Sequence, residues 1–226
     1  MKLTLGIDDA GRGPVVGPMI LAGCILKKDV EKELKNLGVK DSKQLTHKRR
    51  EILEAQIKEL AESFEVIVIS ADQIDSDKEQ GIKLNEVEAK ASAEIIDKLN
   101  KDLPAQEKIK VVVDCPSTSI AKWSDYLKQQ IDNLSNLEIS CEHKADQNNV
   151  SVGAASILAK CQREREMQKL KKIYGPEIGS GYTSDPLTIK FLEKYAVKYK
   201  DKGIFRKSWV TWQKAYDLGK QRKLTF

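Results

Sequence analysis

One stretch, an alternating strand that runs into paired acids and then a glycine turn, sets most of what this 226-residue chain can become. Leu3, Leu5 and Ile7 alternate with Lys2, Thr4 and Gly6, the period-2 pattern of a half-buried strand. Asp8 and Asp9 follow at once, and then Gly11-Arg12-Gly13-Pro14. Carboxylates at a strand end are costly to bury unless something neutralises them. Alternation sends adjacent side chains to opposite faces, so convergence of the two acids requires the strand to end here, at the turn Gly11 and Gly13 allow. Two readings fit: a divalent cation beside backbone amides that meet a phosphate or sugar, or a turn capped by acids. A dinucleotide-binding loop does not fit. Gly17 comes one position late for that fingerprint, and no acid ends a second strand about 20 residues on.

The rest of the chain alternates strands with helices. Residues 15–26 read as a second strand forming an antiparallel hairpin or meander with the first, and residues 64–70 as a third. Residues 110–113 (KVVV) end in the continuous apolar run of a strand buried on both faces, and stop at Asp114. A short strand is expected over 137–141. Helices are expected over 31–37, after an N-cap at Thr46, over 84–99, 119–131 and 150–173, and near 187–199 and 209–218. Asp146 precedes the 150–173 helix, where an acid on its own reads as a cap sooner than as a ligand. Gly153-Ala154-Ala155-Ser156 gives that helix a small-residue face for close packing. The glycine-rich residues 179–186 read as a hinge closing the main domain. The expected organisation is therefore an α/β domain over 1–185, with a mixed sheet and helices on its faces, and a small helical region over 186–226.

Composition narrows the function classes. Hydrophobic residues at 40% supply a core. The longest apolar run, residues 15–26, is broken by Gly17, Pro18 and Gly23 and is too short to span a bilayer. The N-terminus does not read as a signal peptide. Four cysteines without C-x-x-C spacing and only two histidines argue against structural zinc and fit a reducing, cytoplasmic setting. Residues 187–226 carry 11 Lys/Arg against 3 Asp/Glu and eight of the thirteen aromatics. That tail reads as a surface for nucleic-acid backbone, or as helices whose aromatics dock on the core, or both.

Asp8, Asp9, Asp114 and Asp146 all lie at or just outside element ends that a sheet can gather. Four carboxylates without histidine or thiolate partners select a hard cation, Mg²⁺ or Mn²⁺. Two such ions promote phosphodiester hydrolysis. These residues sit in motifs that run nearly end to end: GIDDAGRGPVVGPM at 6–19, DSKQLT at 41–46, LNEVEA at 84–89, the strand-end Asp114, HKAD at 143–146, GAASILAK at 153–160, GSGYTSDP at 179–186 and RKSW at 206–209. In these the chain closely resembles ribonuclease HII, the type 2 ribonuclease H, in its single-chain archaeal form.

The resemblance implies an RNase H-like fold; a monomer is expected. It also implies cleavage of the RNA strand of RNA/DNA hybrids and of single ribonucleotides embedded in duplex DNA, on their 5′ side. Asp8, Asp9, Asp114 and Asp146 match the metal-binding catalytic carboxylates. Gly11, Arg12 and Gly13 match the motif that reads the 2′-hydroxyl through backbone groups, the group that separates RNA from DNA. Tyr182 matches the tyrosine that stacks near the junction, and Lys43, His143, Lys144 and Lys160 are further substrate contacts or solvated residues. One departure stands out: the family usually has Asp-Glu where this chain has Asp8-Asp9. The shorter acid implies altered metal preference, favouring Mn²⁺; the alternative is a non-catalytic hybrid-binding protein. Gln221, Leu224 and Phe226 resemble a shortened sliding-clamp-binding motif, or else a basic frayed end.

Overall fold

The computed structural model describes residues 3–39, 45–104 and 107–224, and the chain forms two compact units. The first comprises Met1–Ala10, Ile20–Ile67 and Leu84–Gln162. It carries a five-stranded sheet in the order β3-β2-β1-β4-β5, from β1 (Leu3–Ala10), β2 (Met19–Lys27), β3 (Ser63–Ile69), β4 (Ile109–Asp114) and β5 (Leu137–Glu142). β1 pairs antiparallel with β2 and parallel with β4, and β4 pairs parallel with β5, so the sheet is mixed as expected.

Glycines let helices lie directly on this sheet. A Cβ on Gly6 would overlap the backbone of Ser151 and Val152, at the start of α7 (Val150–Tyr174). One on Gly23, across from Ile7, would overlap Ile95 of α4 (Leu84–Lys101). Gly6 and Ile7 face opposite sides of β1, so α7 and α4 cover opposite faces of the sheet. On the α7 face, Ile20, Ala22, Cys24 and Leu26 pack with Ala154, Ile157, Leu158 and Cys161. α1 (Lys28–Asn36) adds Leu34 to this core, and α2 (His47–Leu60) adds Leu53 and Ile57. On the α4 face, α5 (Ile120–Gln129) is tied down where the Trp123 indole donates to the Asn85 carbonyl at 2.8 Å. Thr46 is the expected N-cap, its hydroxyl accepting from the Arg49 amide at 3.3 Å.

The second unit comprises Gly11–Met19, Val68–Lys83 and Arg163–Phe226. Its core joins Val15, Val16, Ile178, Phe191, Leu192, Phe205 and Trp212. α8 (Pro186–Tyr195) supplies Phe191 and α9 (Val210–Leu224) supplies Trp212, and Tyr195, Tyr199, Trp209 and Tyr216 pack against them. Trp212 and Tyr216 stack at 4.7 Å, and Phe191 and Tyr195 lie 5.0 Å apart. Residues 163–185, expected in the main domain, group with this unit.

Several boundaries differ from expectation. β2 begins at Met19, because Gly17 adopts φ 88° and Pro18 follows. Residues before that break pair elsewhere: Val16 bridges Phe205, and the Arg206 amide donates to the Val15 carbonyl at 2.9 Å. A polar helix, α3 (Ala71–Glu79), follows β3 unannounced, N-capped by the Ser70 hydroxyl accepting from Gln73 at 3.1 Å. The expected hinge at 179–186 is pinned. Val15 and Val16 donate to the Gly181 carbonyl at 2.9 and 3.2 Å, and the buried Thr188 hydroxyl accepts from the Gly181 amide at 3.0 Å. Among the described residues, no helix is long and apolar enough to cross a membrane.

Candidate active site

β1 does not end at its acids. It pairs with β2 through Asp8↔Ala22, Asp9↔Leu21 and Ala10↔Ile20, so the expectation of a strand stopping at Asp8 is wrong. Convergence comes from the neighbouring strand instead. The parallel pairing of β1 with β4 runs to Ile7↔Val113, and the next residues along the two strands are Asp8 and Asp114. Residues in register on adjacent parallel strands face the same side, so these two acids stand together at the strands' carboxyl ends. That is where open α/β sheets place ligands. Alternation turns the partly exposed Asp9 away from Asp8's side of β1, yet it stays close: its charge raises Asp8 more than that of Asp114 does, and its amide donates to the Asp8 carboxylate at 2.8 Å.

The surroundings of Asp8 show what the site lacks on its own. Its carboxyl is buried and its pKa is pushed up to about 8, first by burial, then by the charges of Asp9 and Asp114. Opposing this are a hydrogen bond from the Ser156 hydroxyl and the charge of Lys160. Lys160 Nζ in turn donates to Ser156 Oγ at 2.7 Å, so lysine, serine and aspartate form a relay along one turn of α7. Ser156, fully buried, belongs to the small-residue face that the sequence marks for packing; its role at Asp8 was not legible there.

Asp114 and Asp146 are tied through a short helix, α6 (Ala145–Asn148). Lys144 adopts φ 56°, the one positive φ outside glycine among the described residues, and this turns the chain so that the Ala145 amide donates to Asp114 Oδ1 at 2.7 Å. Asp146, the next residue, is 2% exposed inside α6 and so is not the cap outside a helix that its isolated position suggests; Asp114 takes the capping role. His143 lies against the Cys115 carbonyl through Nδ1 at 3.1 Å; a carbonyl only accepts, so that nitrogen carries the proton. Glu88 of α4, 2% exposed, adds negative charge near Cys115, whose thiol is raised by burial, Asp114 and Glu88 in that order. Lys43 lies outside the described residues.

This donor set fits a hard divalent cation. The atoms it could offer a cation are carboxylate oxygens, and the burial and repulsion that raise Asp8 are what a cation would offset. Among the described residues, no three acid, histidine or thiol groups converge into a ready-made cage.

The glycine turns belong to the second unit. Gly11 adopts φ 82° and sits against Arg163 and the Pro18 carbonyl, whereas the Cβ position of Gly13 has nothing within 4 Å. Arg12 is partly exposed between them. Arg163, 9% exposed, donates to the Ser180 carbonyl at 2.9 Å and stacks its guanidinium 4.7 Å from the Tyr182 ring centroid. Tyr182 remains 37% exposed.

Known proteins place this arrangement. A sequence profile of the family described as ribonuclease HII matches residues 5–212. The ribonuclease HII of Methanocaldococcus jannaschii is 41% identical, over 98% of each chain. The crystal structure of ribonuclease H2 from Pyrococcus horikoshii OT3 superposes with TM-score 0.85 at 34% identity, covering 97% of this chain and 99% of that one. The RNase HII of Archaeoglobus fulgidus, solved in complex with PCNA, superposes with TM-score 0.79 at 36% identity, covering 92% of this chain and 95% of the other. With an RNase H-like sheet carrying acids at its parallel strand ends and relatives matching almost end to end, the chain belongs to the ribonuclease HII family, the type 2 ribonuclease H endonucleases.

Proposed function

We propose that Asp8, Asp9, Asp114 and Asp146 hold the divalent cations of a hydrolytic site that cuts RNA in RNA/DNA hybrids and on the 5′ side of single ribonucleotides in duplex DNA. The observation that carries this reading is the placement of Asp8 and Asp114 one residue past the last β1–β4 pair, Ile7↔Val113, with Asp8 held far above the usual carboxylate range. When bound, a pair of Mg²⁺ or Mn²⁺ ions activates water and stabilises the leaving oxygen. The chain's own residues do the rest. Lys160 and Ser156 orient Asp8, the Ala145 amide orients Asp114, and the Cys115 carbonyl orients His143. Lys144 and Lys160 supply positive charge for phosphate. Gly11, Arg12 and Gly13 present backbone groups to the 2′-hydroxyl, and Tyr182, backed by Arg163, stacks at the junction. Gln221, near the end of α9, with Leu224 and with Phe226, which lies outside the described residues, forms the element we assign to a sliding clamp.

The test is a duplex carrying one ribonucleotide, incubated separately in Mg²⁺ and Mn²⁺ with wild type and Asp9→Glu, and the products mapped. Cutting 5′ of the ribonucleotide is expected, faster in Mn²⁺ for wild type. Asp9→Glu adds the missing methylene and is expected to raise the Mg²⁺ rate by about 10-fold, the lower end of what repositioning near a metal changes. Tight hybrid binding with no cutting in either metal would replace the enzyme with a binding protein.

A further inference from the structure

Arg206 is fully buried, yet it makes no use of its burial for packing alone. Its Nη1 donates to the Arg12 carbonyl at 2.6 Å, its Nη2 to the Gly11 carbonyl at 2.6 Å, and its Nε to the Gly17 carbonyl at 3.1 Å. All three of its nitrogens thus donate to backbone carbonyls of the 11–17 segment. A trans peptide is planar, with its C=O and N–H pointing in opposite directions. Drawing the carbonyls of Gly11 and Arg12 onto one guanidinium therefore aims the amides of Arg12 and Gly13 away from it. Successive amides presented in this way make a concave donor site for an oxygen. Gly13 is exposed, with nothing within 4 Å of its Cβ position.

The guanidinium is itself held in place. The Trp209 ring lies 5.1 Å from Arg206 Cζ, while its indole N–H donates to the Gly13 carbonyl at 3.3 Å. The amides of Lys207 and Ser208 donate to the two oxygens of Asp75, at 2.6 and 3.0 Å, and this anchors the segment to α3. A buried cation is tolerated only where its donors are well satisfied.

We propose that Arg206 is a positioning residue for ribose recognition: it sets the direction of the Arg12 and Gly13 amides, with Trp209 fixing the third carbonyl of the turn. This rests on the proposed ribose-reading role of Gly11–Gly13. Lysine keeps the charge but is a point donor on a flexible stem and cannot serve three carbonyls in the planar directions they require.

The experiment measures binding, in EDTA, of a duplex with one ribonucleotide and of its all-DNA twin, for wild type and Arg206→Lys, with melting curves. Wild type is expected to favour the ribonucleotide duplex by about 10-fold, the worth of a hydrogen bond to the extra hydroxyl. Arg206→Lys should lose that preference while binding the all-DNA duplex as wild type does, and should fall about 100-fold in kcat/KM on the ribonucleotide duplex. A merely structural defect would weaken both duplexes together. If wild type shows no preference, the ribose-reading role of the turn fails and this proposal with it. If wild type discriminates and a folded Arg206→Lys discriminates equally, only the proposal for Arg206 is overturned. Should Arg206→Lys not fold, Trp209→Phe keeps the ring and removes the bond to Gly13. Its preference should drop about 3-fold, and an unchanged preference would overturn the proposal.

Discussion

Asp8→Asn is expected to slow cleavage by about 1,000-fold, the scale of removing one group that stabilises transition-state charge, while making the protein more stable in EDTA. Both effects come from one cause. The carboxyl of Asp8 is buried beside Asp9 and Asp114, so its pKa stands at about 8 in the fold against 3.8 for the ordinary group. Between those values the folded chain binds more protons than the unfolded chain, so stability falls as pH rises through that window. Below it the acid is neutral in both states and costs nothing; above it the full penalty is present. Asparagine mimics the neutral acid at every pH. The gain should therefore be nearly absent near pH 4 and grow steadily towards pH 8. Melting curves in EDTA across this range, run beside Mg²⁺ and Mn²⁺ titrations, check it. Divalent ions should stabilise wild type more than the variant.

The second large effect is structural. Gly6→Ala places a methyl inside the backbone of Ser151 and Val152, where no flexible side chain can yield. Either β1 or the start of α7 must move, at a cost of about 3 kcal/mol or more. For a chain of this size that lowers Tm by roughly 10 °C. The same shift displaces Ser156 from Asp8, so the surviving folded protein should also be slower. Gly13→Ala is the control: the position is exposed and open, and Tm should stay within about 1 °C of wild type. Circular dichroism melts of the two variants separate close helix–strand contact from a general intolerance of alanine.

These two glycines also show what the sequence can and cannot say. Period-2 alternation at β1, the KVVV run of β4 and the Thr46 cap are local signals, and each yields its element. Register is not local. That Asp8 and Asp114 stand side by side follows from pairing between residues about a hundred positions apart, and no pattern around either acid states it. α3 was missed because ADQIDSDKE is nearly all polar; its helix rests on a Ser70 cap and a few inward contacts through Ala71, Ile74 and Asp75. Arg206 belongs to a tail whose basic residues read as a surface for nucleic-acid backbone, yet it is fully buried, because backbone carbonyls and the Trp209 ring supply its partners. Ser156 reads as a small packing residue until Asp8 is placed against it. In each case the chemistry of the residue was visible and its partner was not.

The central claim, that these acids form the hydrolytic cation site, is tested most directly at Asp114, which is less buried than Asp8 and caps α6 through a bond that asparagine's oxygen can still accept. Cleavage of a duplex with one embedded ribonucleotide should be measured for wild type and Asp114→Asn in saturating Mn²⁺, with hybrid binding measured in parallel. Turnover lost by about 1,000-fold, with binding intact, is the predicted result. Turnover retained within a few-fold would contradict the assignment and move the chemistry away from these strand ends.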